Sequence, residues 1–259
     1  MSNSSLNLKI IPNIPDIDKG ADISGILISA LEKSSMILKE HDVICIAHKI
    51  FSKAEGCIIK LKEITPSKEA IELGKMLNKD ARKVEVVLQE SEKIIRSFKR
   101  ADQIEGTLIC QHKLGFICAN AGVDESNLAK NETVITVPQN PDFSMKVLRD
   151  KLTTYFNLEN LGIVMSDTFG RPWRIGQVNA AIGIAGLPAT KKEQGTRDAW
   201  GNQLYVTEPA FCDEIAASSG LLMSKAGKCP AILLRGLSWS GKYGSANDIL
   251  RKQNEDMFR

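Results

Sequence analysis

Aromatic residues are scarce, at 5% of the 259 residues, so an apolar interior has to be built from Ile, Leu, Val and Ala. The same scarcity argues against stacking platforms for single-stranded nucleic acid. Charge of one sign is also missing. The 34 basic and 31 acidic side chains are interspersed and leave a net charge of +3, too weak a bias to mark a nucleic-acid or membrane-surface partner. The six cysteines, Cys45, Cys57, Cys110, Cys118, Cys212 and Cys229, include no C-x-x-C pair, which speaks against a zinc site. Several sit in apolar runs such as VICIA and TLIC and read as small buried hydrophobes. A disulfide framework is not expected in a chain with a full apolar core. No stretch approaches the roughly 20 apolar residues of a membrane span, and MSNSSLNLKIIP has no leader pattern. The expected location is the cytoplasm. The phosphate-binding G-x-x-x-x-G-K-[ST], the dinucleotide G-x-G-x-x-G after a strand and the hydrolase G-x-S-x-G are all absent. With three histidines, His41, His48 and His112, no metalloprotease pattern arises either.

What is present is ordinary globular composition, 43% hydrophobic and 25% charged, enough to close a substantial core. Helical and strand patterns alternate. Residues 22–39 carry a helical stripe of Ile23, Ile26, Leu27, Ala30 and Leu31, followed by the short buried strand VICIA. PSKEAIELGKML and DARKVEVVLQESEKIIRSFK read as two helices, the second capped by Asp80 and closing on a basic turn. TLICQH and LGFICAN are too close for a crossover helix and pair antiparallel. TVITVP is a strand, NPDFSMKVLRDKL opens a helix capped by Asp142 or Ser144, and LGIVMSDT is a buried strand ending in polar residues. TEPAFCDEIAASSGLLM is a helix with Pro209 near its start, CPAILLRGL a strand, and the tail after Ser240 one exposed helix. Hairpins mixed with helices predict an α+β (mixed α/β) fold with mixed, partly antiparallel sheets. Without repeats or a low-complexity linker, the chain reads as one domain over 1–259, with no lobe boundary visible in composition.

Three polar clusters end apolar runs. In ANAGVDESN (119–127), Asp124 lies on a Gly-containing loop and can reach a hard cation whose shell water and phosphate oxygens complete. A plain turn cap explains this loop equally well. In SDTFGRPWR (166–174), Asp167 and Thr168 sit where GIVM runs out, with Gly170 releasing the chain and Arg171 and Arg174 alongside. A metal-holding acid beside phosphate-neutralising arginines suits phosphoryl transfer, and the cluster is denser than a structural loop requires. In HKIFSKAEG (48–56), Lys49 and Lys53 stand four apart and share a face if the segment is helical. A solvated basic face is the plainer account of that pair.

IPDI, SKAEG, GFICANAGVDESN, SDTFGRPWR, TRDAWGNQL and PAILLRGL stand in the order and spacing of the coenzyme F-420-0:L-glutamate ligases. The chain resembles that family from about Ile11 to Leu237. The resemblance implies a GTP-dependent amide ligase with two divalent cations, Mg²⁺ or Mn²⁺, in a homodimer of two-lobed subunits. Its partners would be GTP, L-glutamate and the deazaflavin coenzyme precursor. Position by position, it implies Asp124 and Asp167 as ligands of one metal and Thr168 as a contact to the second. It places Ile14, Pro15, Asp16, Ile17, His48, Lys49, Lys53 and Asn127 at the nucleotide, with Met223, Ser224, Lys225, Ala226, Gly227 and Lys228 as a further nucleotide stretch. At the Lys225 position the family carries an acid or amide that ligates the second metal, and a protonated lysine cannot. The loop there is also one residue shorter.

A carboxylate is a poor acyl donor at neutral pH, so the implied route activates it as an acyl phosphate before the glutamate amine attacks. Lys53, Arg171 and Arg174 are the candidates to share phosphate charge, and Glu55 is the candidate general base. Two other readings stand beside this one: a paralogue joining an amino acid to a different carboxylate, and a nucleotide-binding protein without catalysis.

Overall fold

The computed structural model describes residues 5–126, 128, 132–224, 226–240 and 242–256. In chain order the elements are β1 (Asn7–Ile10), α1 (Ile23–Lys33), β2 (Asp42–Ala47), α2 (His48–Ala54) and β3 (Ile58–Lys60). They continue with α3 (Lys68–Leu77), α4 (Ala81–Glu90), β4 (Ser91–Phe98), β5 (Thr107–His112), β6 (Ile117–Ala119) and β7 (Thr133–Ile135). The last are α5 (Pro141–Phe156), β8 (Leu161–Arg171), β9 (Arg174–Ala185), α6 (Phe211–Gly220) and β10 (Ala231–Arg235). The α+β expectation holds.

The central sheet has the order β1-β10-β2-β8-β9. Only β2 and β8 run parallel; the other neighbours are antiparallel. Side chains alternate across its faces. Ile44, Ile46, Ile163 and Met165 point into one core with Leu27 and Leu31 of α1 and Leu148 and Leu152 of α5. Val43, Cys45 and Val164 point the other way, onto Cys212, Ile215 and Ala216 of α6. Each fully buried Ile or Leu contributes about 1.5–3 kcal/mol, so these two layers fix the sheet against which the polar loops are set. The neighbouring strands β2 and β10 are further tied by fully buried Asp42, which accepts from Arg235 Nε at 2.8 Å and Nη2 at 2.6 Å. A separate smaller core of Leu77, Val84, Val87, Leu108 and Cys110 joins α3 and α4 to the three-stranded sheet β4-β5-β6. The strands β3 and β7 pair with each other.

Four local expectations change. DARKVEVVLQESEKIIRSFK is not one helix. α4 keeps the Asp80 cap, whose carboxylate accepts Arg82 N–H at 2.8 Å, but ends at Glu90 with no basic last turn. The remainder becomes β4 because pairing with β5 outweighs local helical preference. Asn140 caps α5 in place of Asp142 or Ser144, accepting Phe143 N–H at 3.1 Å. Asp142 instead accepts Ile184 N–H at 2.7 Å. β8 does not stop with LGIVMSDT at Thr168 but pairs with β9 as far as Arg171↔Arg174. Within β9, Gly183 lets α5 approach closely: a Cβ there would fall 2.6 Å from Pro141 Cβ. The tail carries two short 3-10 turns, Ala246–Ile249 and Gln253–Glu255, in place of a helix.

Candidate functional site

The parallel pair decides where polar side chains gather. β2 and β8 are in register from Asp42↔Leu161 to Ala47↔Ser166, so the next residues, His48 at the start of α2 and Asp167 further along β8, lie at the same end of the parallel pair. Loops beyond the carboxyl ends of parallel strands are where open sheets place their ligands. The antiparallel neighbours add to that end. β1 delivers Ile11, whose N–H bonds Ala231 O at 3.0 Å, and Ala47 N–H bonds Pro230 O at 2.8 Å just before β10. Segment 12–19, the start of α2, the middle of β8 and the loop before β10 therefore share one rim.

His48 is 2% exposed. Its Nδ1 lies 3.0 Å from Ser52 Oγ, one turn along α2. Its Nε2 lies 3.3 Å from Asp167 Oδ1, outside hydrogen-bond geometry. Asp167 Oδ1 also accepts Thr168 N–H at 2.7 Å. The next residue, Lys49, reaches the other acid. Its Nζ is 2.5 Å from Asp124 Oδ2 and from Ser126 Oγ, and 3.2 Å from Ser126 O. Burial alone would raise the Asp124 carboxyl; the Lys49 ammonium and the Ser126 hydroxyl and N–H outweigh it and hold Asp124 well below the usual carboxylate range. Successive residues of one helix thus engage Asp167 and Asp124. The Cys118 thiol of β6 is pushed up by burial and then by the charge of Asp167. Three consecutive left-handed residues, Asn120, Ala121 and Gly122, turn the chain from β6 to Asp124.

Thr168 faces Asn179 across the β8–β9 pair and donates its hydroxyl to Asn179 Oδ1 at 3.0 Å. Asn179 Nδ2 in turn donates to Met223 Sδ at 3.4 Å. Lys228 Nζ stands 3.7 Å from Asp16 Oδ2, which joins the 14–17 and 223–228 stretches across the rim. In those stretches Ile17 is buried and Ile14 half-buried, while Pro15, Asp16, Ser224, Ala226, Gly227 and Lys228 are exposed. Lys53 lies one turn beyond Lys49 on α2 and is half-buried. Asn127 and Lys225 lie outside the described residues.

Three expected residues stand apart. Arg171 and Arg174 close the far end of the β8–β9 hairpin, four strand residues or about 13 Å from Asp167 and beyond. Arg171 there donates to Ile175 O at 2.7 Å. Glu55 follows the end of α2, about 10 Å along the helix from His48, where it accepts Ser144 Oγ–H at 2.6 Å. It lines a cavity of about 570 Å³ with Phe51, Phe143 and Lys151. Ser52 and Asn179 are the members that sequence reasoning missed. Ser52 carried a signal in its four-residue spacing from His48, whereas Asn179 meets Thr168 only through the strand register.

Asp124, Asp167 and the Thr168 hydroxyl are oxygen donors, the chemistry that a hard divalent cation takes where phosphate and water complete its shell. A self-sufficient protein cage is not formed: among the described residues no three His, Cys, Asp or Glu side chains are grouped to hold a metal.

The sequence profile of the F420-0:Gamma-glutamyl ligase family matches residues 12–236. The chain belongs to this family. It is 38% identical over 252 residues to the coenzyme F420:L-glutamate ligase of Methanothermobacter thermautotrophicus, covering 96% of this chain and 97% of that one. The enzyme of that name from Methanopyrus kandleri is 37% identical, with 98% of each chain covered. That from Methanocaldococcus jannaschii is 37% identical over 86% of each. The F420 ligase resemblance of the motifs is thereby confirmed along nearly the whole chain. Among the described residues no helix is long and apolar enough to cross a membrane.

Proposed function

We propose that this family member is a GTP- and divalent-metal-dependent ligase that joins L-glutamate to coenzyme F420-0 and then extends the chain by γ-linkage. The carrying observation is that Asp124 and Asp167 engage successive residues of α2 at the carboxyl end of the parallel strand pair. Asp124, Asp167 and Thr168 would hold Mg²⁺ or Mn²⁺, which when bound supplies positive charge to the phosphate oxygens.

The protein's own residues position the reactants. A carboxylate oxygen of the acceptor attacks the γ-phosphorus, the bond to GDP breaks, and an acyl phosphate forms. The glutamate amine then attacks the acyl carbon, phosphate leaves, and the amine gives up a proton as the amide forms. Positioning carries most of this chemistry. Lys49 and Lys53, four apart on α2, present cationic groups beside the phosphates. The 14–17 and 223–228 stretches flank them on the rim and suit the remainder of the nucleotide. Homodimeric assembly belongs to the same reading. It is supported by the hairpin tip, where Trp173 is 85% and Ile175 100% exposed, and Arg171 and Arg174 at that tip would serve phosphate only across such an assembly.

Purified protein with F420-0, GTP, L-glutamate and Mn²⁺ is expected to yield glutamylated product and GDP. Asp124→Ala and Asp167→Ala should each cut turnover about a hundredfold or more while circular dichroism still shows a folded chain; near-normal turnover in either would refute the metal assignment. Lys225 favours a second reading, a ligase for another carboxylate acceptor. Activity with other carboxylates and none with F420-0 would establish it, while GTP binding without phosphate release under any acceptor would point to a nucleotide-binding protein.

A further inference from the structure

Thr168 has one hydroxyl hydrogen and two lone pairs, and what it can offer a cation depends on where that hydrogen goes. The Asn179 amide settles the matter. A thioether sulfur only accepts, so the group 3.4 Å from Met223 Sδ must be the amide nitrogen, Nδ2. The other end of the amide, Oδ1, then faces Thr168 Oγ1 at 3.0 Å. A carbonyl oxygen only accepts, so Thr168 must donate. Its hydrogen is committed to Asn179, and both lone pairs remain for a positive group.

The amide is itself held. Thr168 and Asn179 are direct partners in the β8–β9 register. On its other side the end of α6 packs close enough that a Cβ on Gly220 would lie 3.2 Å from Asn179 Cγ and 3.3 Å from Nδ2. Met223, which receives the amide, also lies 3.9 Å from Ser166 Oγ, on the strand that bears Asp167. Thr168, Asn179, Met223 and Ser166 therefore form a chain of contacts from β8, through β9, to the loop that precedes β10, and back.

We infer that Asn179 is a positioning residue: it fixes the Thr168 hydroxyl as a pure acceptor toward a divalent cation and ties that hydroxyl to the 223–228 loop through Met223. This rests on the metal reading proposed above and extends it to a residue outside the ligand set.

The test is Mn²⁺ binding followed by electron paramagnetic resonance, with GTP saturating and no acceptor present, so that turnover plays no part. Asn179→Leu, which keeps side-chain size and removes both hydrogen bonds, should weaken Mn²⁺ about tenfold, the lower end for loss of a group that orients a ligand. It should also alter the spectrum of the bound ion. Thr168→Val should weaken binding to a similar degree. The double variant should bind no more weakly than Thr168→Val alone, because Asn179 acts through that hydroxyl. Gly220→Ala leaves every donor and acceptor in place and displaces the Asn179 amide; it should shift affinity in the same direction and lose its effect in the Thr168→Val background. It carries the test if the leucine variant does not fold. Unchanged affinity in both variants, or effects that add to that of Thr168→Val, overturns the inference and leaves the metal reading standing. Wild-type protein that takes up no Mn²⁺ overturns both.

Discussion

Four donors converge on the Asp124 carboxylate: the Lys49 ammonium, the Ser126 hydroxyl, and the N–H groups of Glu125 and Ser126. Against the opposing effect of burial they keep the folded-state pKa below the ordinary carboxylate value, which is near 3.9 in an unfolded chain. A carboxyl shifted in this direction contributes stability above its unfolded pKa and loses it as pH falls through the folded one. Denaturant titrations of the metal-free protein at a series of pH values should therefore show a loss of stability below about pH 4 that Asp124→Asn diminishes. An identical acid limb in the variant would show that these contacts do not persist in solution. The turn cap read from the sequence is present: Asp124 accepts the N–H groups of Glu125 and Ser126 through Oδ1 and presents Oδ2 to Lys49.

At the scale of elements, glycine contacts separate positions that a pattern treats alike. Gly183 in β9 sits under Pro141, with α5 backbone 2.8 Å from a built Cβ, while Gly170 in β8 has nothing within 4 Å. Gly183→Ala must push α5 off the sheet and should cost about 1–3 kcal/mol, a fall of several degrees in thermal midpoint for a chain of this size. Gly170→Ala should change it little. Equal midpoints for the two would mean that α5 does not rest on β9. Such contacts were not readable in advance, whereas buried strands with concentrated apolar runs were: VICIA, TLICQH and PAILLRGL all form. Two of the failures share one cause. Ser91–Phe98 is held extended by β5, and residues 169–171 by β9. These partners are brought by the fold, and no local periodicity announces them. The candidate site divides likewise. His48, Lys49, Asp124, Asp167 and Thr168 lay in dense motifs and are brought together in two linked contacts, but Asn179 entered through strand register. The arginines of SDTFGRPWR were near Asp167 in sequence and are drawn away by the extended strand.

On the scale of the whole molecule, exposed apolar side chains concentrate in two excursions from the sheet. The hairpin tip exposes Trp173 and Ile175, and the excursion around the Arg197↔Gln203 bridge exposes Trp200, Tyr205 and Val206. Large exposed apolar groups in such concentration mark interaction sites. For the proposed homodimer, sedimentation should give twice the 28.4 kDa chain mass. Trp173→Asp or Ile175→Asp should shift the population to monomer, and a wild-type monomer at micromolar concentration would rule the assembly out. The order of the central sheet has a consequence for synthesis as well. β2 lies between β8 and β10, so the apolar VICIA strand waits for partners made much later. At about 5–20 residues per second, roughly 10 to 40 s pass between translation of β2 and translation of β10. During that interval a nascent chain carries an unpaired apolar edge of the kind that invites aggregation. The parallel pair can set His48 beside Asp167 once β8 has been made, but the loop that precedes β10 joins that rim only when the last strand docks.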